Sequence, residues 1–248
     1  MRGKYESANF AMYTTHGMTV FSPTMKLADL VGLNYQILKV LSRLDISLGF
    51  REHTVEQVCD EYGINVASFL LICNVYAFPG YIPSVKLIAG ATPEPIVKYL
   101  HNSHVLYLRE DLAGLEEILE CLMKPCDAHQ QKVVRKFFED YRDEARNHFN
   151  YEETVLFPYI ASLEEGRRDG SFSISTFEDN HNSVDEKLND LKNIVMKYLP
   201  ECCDARIRNE VLFRIFQLAE DLERHTAIED KVLVKIVMRL EAQYNGNL

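Results

Sequence analysis

Between Val211 and Leu240 nine residues recur at intervals of three or four: Val211, Ile215, Leu218, Leu222, His225, Glu229, Val232, Ile236 and Leu240. That spacing puts all nine on one face of a single long helix. Seven are aliphatic. The two that are not, His225 and Glu229, stand together at the centre, one helical turn apart. An imidazole and a carboxylate at i, i+4 can grip one ion, and in an apolar seam they are otherwise costly to bury. A helix of this kind needs other helices to cover its stripe and to partner its polar centre.

Three more stripes supply them. One runs Val134, Phe137, Tyr141, Ala145, His148, Glu152, Val155, Tyr159, so His148 and Glu152 repeat the i, i+4 pairing. A second runs Ile174, Phe177, His181, Val184, Leu188, Leu191, Val195, Tyr198, with His181 its one strongly polar member. The third runs Val97, Leu100, His104, Leu108, Leu112, Leu115, Leu119, Leu122. His104 breaks that stripe. His101 is the alternative, on a partly apolar line with Val97, Val105, Leu108 and Leu112. A single histidine on an apolar face is more often a hydrogen-bonded core residue, and one HxxxE pair is often a surface pairing. Two such pairs and two further histidines, each central to its own stripe, point instead to one metal-ligating set: His104, His148, Glu152, His181, His225 and Glu229. Carboxylates can bridge two ions and imidazoles fill the remaining positions. Such a set suits first-row metals such as iron or manganese better than calcium or a thiolate-bound structural zinc. Glu153 and Asp230 point off the stripes and read as solvated charges. Glu144, one turn before His148, reads either as a residue near a ligand or as an ordinary exposed glutamate.

The fold class that follows is all-α: an up-down four-helix bundle preceded by a small helical N-terminal domain. Residues 1–24 lack periodicity and read as an irregular arm. Residues 25–78 form the small domain, with one helix from Met25 to about Leu44, a short helix capped by Thr54 and closed at Gly63, and another over Val66 to Tyr76. Residues 79–92, punctuated by Pro79-Gly80, Pro83 and Gly90, read as a linker. The bundle spans 93–246. Its first helix covers 93–123, with Thr92 as N-cap. The second covers 127–162, with a kink at Pro158. The third opens on a capping box, Ser175 to Glu178, and stops at Pro200. The fourth begins after the N-cap Asp204 and runs to Gly246.

Composition bounds the partners. The 248 residues carry a net charge of −10, which disfavours nucleic acid and anionic membrane surfaces. The Thr54–Cys73 segment has the outline of a helix-turn-helix but lacks a basic second helix. No apolar run is long enough to span a bilayer, and Met1-Arg-Gly-Lys-Tyr-Glu lacks an apolar signal core, so the expected location is the cytoplasm. The six cysteines show no CxxC spacing and read as ordinary thiols.

The two HxxxE segments, His148-Phe-Asn-Tyr-Glu152-Glu-Thr-Val-Leu-Phe-Pro158 and His225-Thr-Ala-Ile-Glu229-Asp-Lys-Val-Leu, together with His181 in Glu178-Asp-Asn-His181 and the region Ile96 to His104, resemble the hemerythrin-like proteins. More narrowly, they are similar to the RIC family of bacterial di-iron proteins, which repair iron–sulfur clusters after nitrosative or oxidative stress. Residues 25–59 are similar to the N-terminal domain of that family. The resemblance implies a non-haem centre of two iron ions, damaged iron–sulfur proteins as partners, and NO or O2 as a small ligand. The alternative it implies is an O2- or NO-binding sensor or storage protein signalling through the N-terminal domain. Two departures stand out. Many relatives carry a Cys-Cys-Gly-Gly element where this chain reads Ile46-Ser-Leu-Gly-Phe-Arg51, so a role for those thiols does not transfer. The second HxxxE segment continues Val232-Leu-Val-Lys235, where relatives often have Val-Leu-Phe-Pro.

Overall fold

The computed structural model describes residues 13–15, 18–167, 172–180 and 185–245. Strands β1 (Tyr13–Thr15) and β2 (Met18–Val20) pair antiparallel, with Tyr13 opposite Val20. They lie where the sequence reading expects an irregular arm. Both are short runs rich in aromatic and β-branched residues, which favour extended backbone.

The helix expected from Met25 to Leu44 is two helices, α1 (Leu27–Leu33) and α2 (Ile37–Arg43). Asn34 separates them. Its side-chain oxygen accepts a hydrogen bond from the Gln36 amide at 3.0 Å, a local turn that competes with helix backbone. Helix α3 (Val55–Tyr62) opens on a reciprocal capping box between Thr54 and Gln57 and closes at Gly63, whose φ is 65°. Helix α4 (Val66–Ala77) is buried continuously from Ser68 to Ala77. It is apolar on nearly every side because α2, α3, α5, α6 and α12 all pack against it. The expected linker is not wholly irregular: it holds α5 (Val85–Gly90), capped by the Ser84 hydroxyl. Arg239 donates to the Ile88 and Ala91 carbonyls at 2.9 Å, tying the end of α5 to the bundle.

The bundle consists of α6 (Glu94–Leu106) with α7 (Leu112–Met123), α8 (Ala128–Tyr151) with α9 (Phe157–Glu164), α10 (Ile174–Asn180), α11 (Asp185–Lys197), and α12 (Ala205–Ile228) with α13 (Val234–Asn245). In the first, second and last of these rods the chain stays helical through one wider turn of i→i+5 hydrogen bonds: Tyr107–Asp111, Glu152–Leu156 and Glu229–Leu233. Pro158 lies just past the second of these turns. The widened turn accommodates a residue that has no N–H to donate and whose ring crowds the preceding carbonyl. Helix α7 packs on α8 and α12, and α11 packs on the same two, which closes the four-helix ring.

The ends follow local chemistry, with two corrections. Asp127 and Asp204 cap α8 and α12 through hydrogen bonds to Gln130 and to Arg206 and Ile207. Thr92 does not cap the first rod. Its backbone N–H and C=O are both taken by the Ser68 hydroxyl, at 2.9 and 2.7 Å, and Pro93 and Pro95 hold the helix start. Ser175 is not a cap either, because α10 already begins at Ile174.

Two apolar cores result. One joins α1–α4 to the bundle half that contains Leu100, Leu156, Ile160, Ile228, Val232 and Ile236. The other fills the opposite half with Leu112, Leu119, Phe138, Tyr141, Leu191, Val211 and Leu222. Phe138 and Leu156 take the buried places expected of Phe137 and Val155; Phe137 is exposed. The buried face of α8 advances in alternating steps of four and three, through Val134, Phe138, Tyr141 and Ala145. Among the described residues, no helix is long and apolar enough to cross a membrane.

Candidate metal centre

The polar centres of three stripes meet where the two apolar cores join. His104 ends the last full turn of α6, His148 lies near the end of α8, and His225 lies near the end of α12. Each is about twenty residues, or roughly 30 Å of helix, from the same end of the bundle, so the rods bring them to one level. The widened turns begin about one helical turn beyond these histidines. Glu152 and Glu229 open two of them, and Tyr107 opens the third, three residues beyond His104. Such one-turn π-bulges concentrate at functional sites because they re-aim side chains without ending the helix.

Ligand atoms of His104, Glu152, His225 and Glu229 all lie within 4.8 Å of one another, and all four residues are buried. The two imidazoles point Nε2 to Nε2 at 3.2 Å. The two oxygens of Glu152 face different rings: Oε2 lies 3.0 Å from His104 Nε2, and Oε1 lies 2.9 Å from His148 Nε2. His225 Nε2 lies 3.1 Å from Glu229 Oε1. Glu152 thus spans two imidazoles, one oxygen to each. His181 lies outside the described residues.

His104 is held on three sides. Its ring stacks on Phe149 at a centroid distance of 4.5 Å and on Phe157 at 5.7 Å. Its Nδ1 lies 2.7 Å from Glu153 Oε1. His101, the alternative on the same helix, is instead exposed and meets the other side of the Glu153 carboxylate at 2.9 Å. The three residues form a line from solvent to the cluster. Burial pushes the His104 pKa down, but hydrogen bonds to Glu152 and Glu153 and the charge of Glu229 outweigh it and raise the value to about 9. Burial likewise pushes Glu153 up, yet its bonds to His104 and His101 leave it below the usual carboxylate range. Glu153 is therefore not the solvated charge that its place off the stripe implies. A carboxylate on the second nitrogen of a histidine fixes the ring's tautomer and orientation, the role such groups play behind metal-binding imidazoles. Glu144 pairs with Lys187, away from the cluster.

A second polar group, unmarked by any stripe, lies one turn before His225. Asp221 is almost fully buried on α12 and accepts from Arg43 of α2 at 3.0 Å, from Tyr76 of α4 at 2.7 Å and from Lys39 at 3.1 Å. Arg43 also donates to the Tyr99 hydroxyl at 2.9 Å, and its guanidinium covers the Tyr107 ring at 5.1 Å. The N-terminal helices thus reach the helix that carries His225 and Glu229. Burial works to raise the Asp221 pKa, but Arg43 and Lys39 overcome it and hold it at about 2. A carboxylate depressed from about 3.9 in the unfolded chain stabilises the fold above that pH and loses this contribution as pH falls toward 2. The expected loss is about 2–3 kcal/mol between pH 5 and 2. Comparing urea midpoints of the native chain and Asp221→Asn across that window measures it, because the variant lacks the titrating group.

The residues fit a cation. Two buried carboxylates face three imidazoles among packed aromatic rings, and His225 Nδ1 has no hydrogen-bond partner among the described residues. Oxygen and imidazole nitrogen together are the donor set of first-row transition metals. The model of the hemerythrin HHE cation-binding domain matches residues 96–237, more than half of the chain and all of the cluster. No curated protein and no solved structure matches it. The helical bundle, the buried histidine–glutamate cluster and this match agree, and the chain belongs to the hemerythrin HHE cation-binding family.

Proposed function

We propose that the protein is a non-haem di-iron protein that repairs or protects iron–sulfur clusters under nitrosative or oxidative stress. The observation that carries the metal reading is the placement of Glu152, whose two oxygens face different imidazoles, beside the His225–Glu229 pair. His104, His148, His181 and His225 would supply imidazole ligands, and Glu152 and Glu229 would bridge. His181 enters on its sequence position, about twenty residues before Pro200, which matches the spacing of the other three histidines from their helix ends. Two iron ions held there would supply a binding place for a diatomic molecule such as NO or O2. The chain's own contribution is to keep that place dry between two apolar cores, to orient His104 through Glu153, and to hold the carboxylates in widened turns.

The repair role is supported by the likeness of the two HxxxE segments and of residues 25–59 to the RIC family. Its test is restoration of activity to an iron–sulfur dehydratase previously inactivated with NO, using iron-loaded protein without oxygen. Recovery above that given by free ferrous iron is expected; no recovery removes the repair reading. The alternative is an O2- or NO-binding sensor that signals through the N-terminal helices. The Arg43–Asp221 contact, one turn from His225, favours it, and reversible difference spectra with O2 or NO in the absence of any repair are its signature.

Between the two candidate ligands on α6, the geometry separates the outcomes. His101→Ala leaves metal content unchanged, whereas His104→Ala lowers it by about one ion per chain. Elemental analysis after anaerobic purification checks both. Equal losses from the two variants would remove His104 from the proposed set.

A further inference from the structure

At the end of the bundle remote from the cluster, two loops approach each other. The loop between α7 and α8 carries Pro125 and Cys126, and the loop between α11 and α12 carries Pro200, Cys202 and Cys203. The Sγ atoms of Cys126 and Cys203 lie 3.4 Å apart, and both residues are buried. They are 77 positions apart in sequence, so only the tertiary fold makes them neighbours. Cys202 is exposed, with its thiol 3.9 Å from the Pro125 carbonyl oxygen.

We propose that Cys126 and Cys203 are a dithiol modification site that forms an intramolecular disulfide by exchange with a small-molecule disulfide. The reaction balances in two exchanges. One thiol, after losing its proton, attacks the small disulfide RSSR, forms a mixed disulfide and releases RSH. The second thiol then attacks the protein sulfur of that mixed disulfide, joins the two cysteines and releases the second RSH. The protein loses two electrons and two protons, and RSSR gains them.

Three features support this site. A disulfide needs its sulfurs about 2.05 Å apart, so each side must give by less than about 1 Å. Both cysteines lie in short loops rather than inside helices, where such a shift does not break a run of helical hydrogen bonds. Burial, followed by the contact with Cys203, pushes the Cys126 thiol up to about 11, so the pair rests reduced at neutral pH and oxidises only when challenged. The bond would staple the loop after the first bundle helix to the loop before the last, leaving the metal cluster roughly 30 Å away.

The test equilibrates the full chain at pH 8 with glutathione buffers of increasing oxidised fraction, followed by alkylation of free thiols and peptide mass mapping. The expected product joins the Cys126 and Cys203 peptides and is two hydrogens lighter than the reduced pair. Cys202→Ala should form it equally well, and Cys126→Ser should not form it. The oxidised native chain should melt roughly 5–15 °C higher, as a crosslink closing a long loop restrains the unfolded chain, while Cys126→Ser shows no such rise. Metal content should be the same in both redox states. Absence of the crosslink in fully oxidised buffer, or a bond from Cys126 to Cys202 in place of Cys203, overturns the assignment. The result does not depend on whether the centre holds iron or performs repair.

Discussion

Replacing Glu152 and Glu229 together by alanine is expected to abolish metal binding, which on the proposed reading is about two ions per chain. Both side chains are fully buried, and between them they face His148, His104 and His225. Without them the described part of the cluster offers imidazole nitrogen alone, and neither carboxylate that faced those rings remains to balance a cation's charge. The helices themselves should persist. Losing two buried carboxylates removes a desolvation penalty as well as contacts, and the surrounding cores stay intact. Circular dichroism and urea denaturation should therefore show a folded chain while elemental analysis shows no metal. The Gln double variant keeps the side-chain volume and separates charge from packing. It too should lose the metal. A folded double-alanine chain that keeps its full complement of metal would falsify the assignment of both glutamates.

The second large effect is expected at Arg43. Its guanidinium is only about 2% exposed, yet it meets Asp221, the Tyr99 hydroxyl and the faces of Tyr99 and Tyr107. Arg43→Met leaves the Asp221 carboxylate buried with the partial support of Tyr76 and Lys39. Breaking a buried pair from one side costs about 3–5 kcal/mol, because the remaining charge stays desolvated. For a chain of this length that lowers the melting temperature by roughly 6–20 °C. Removing both partners, as in Arg43→Met with Asp221→Leu, should cost much less than the sum of the single changes, since no charge is then stranded. Additive losses in that cycle would mean that the two groups do not depend on each other. Because Asp221 lies one turn before His225, the Arg43 variant also reports whether the N-terminal helices influence the centre. A shift in metal affinity with the ligands untouched is the readout that the sensor reading requires.

The wiring of these N-terminal helices is where sequence periodicity fell silent. Asp221 lies on a helix of alternating charge, and nothing in its spacing distinguishes it from the exposed acidic residues around it. Arg43 follows Leu41 and Ser42 at the end of a short helix that looks half solvated. Their burial arises because α4, apolar on nearly every side, inserts against α12 and draws α2 with it. A long-range pairing leaves no local signature when each partner, taken alone, resembles an ordinary surface charge. Glu153 is a similar case. It lies off the stripe, yet in the widened turn at Glu152–Leu156 it meets the Nδ1 of His104, whose ring stacks on Phe149 and Phe157.

What the sequence determined by itself was the part written in repetition. Stripes at three- and four-residue spacing dictated long helices, and the polar breaks in them marked His148, Glu152, His181, His225 and Glu229, with either His104 or His101, as the residues expected to face inward, because helical periodicity is local and survives without knowledge of the partner. The choice between His101 and His104 as the inward residue was decided only in the tertiary structure. Both lie near an apolar line, and which one enters the seam depends on the rotation of α6 against α8 and α12. The widened turns, the approach of Cys126 to Cys203 and the junction of the two cores around the cluster were likewise decided there. Each depends on how the rods are rotated and brought level, and the spacing of residues along one rod carries no information about its neighbours.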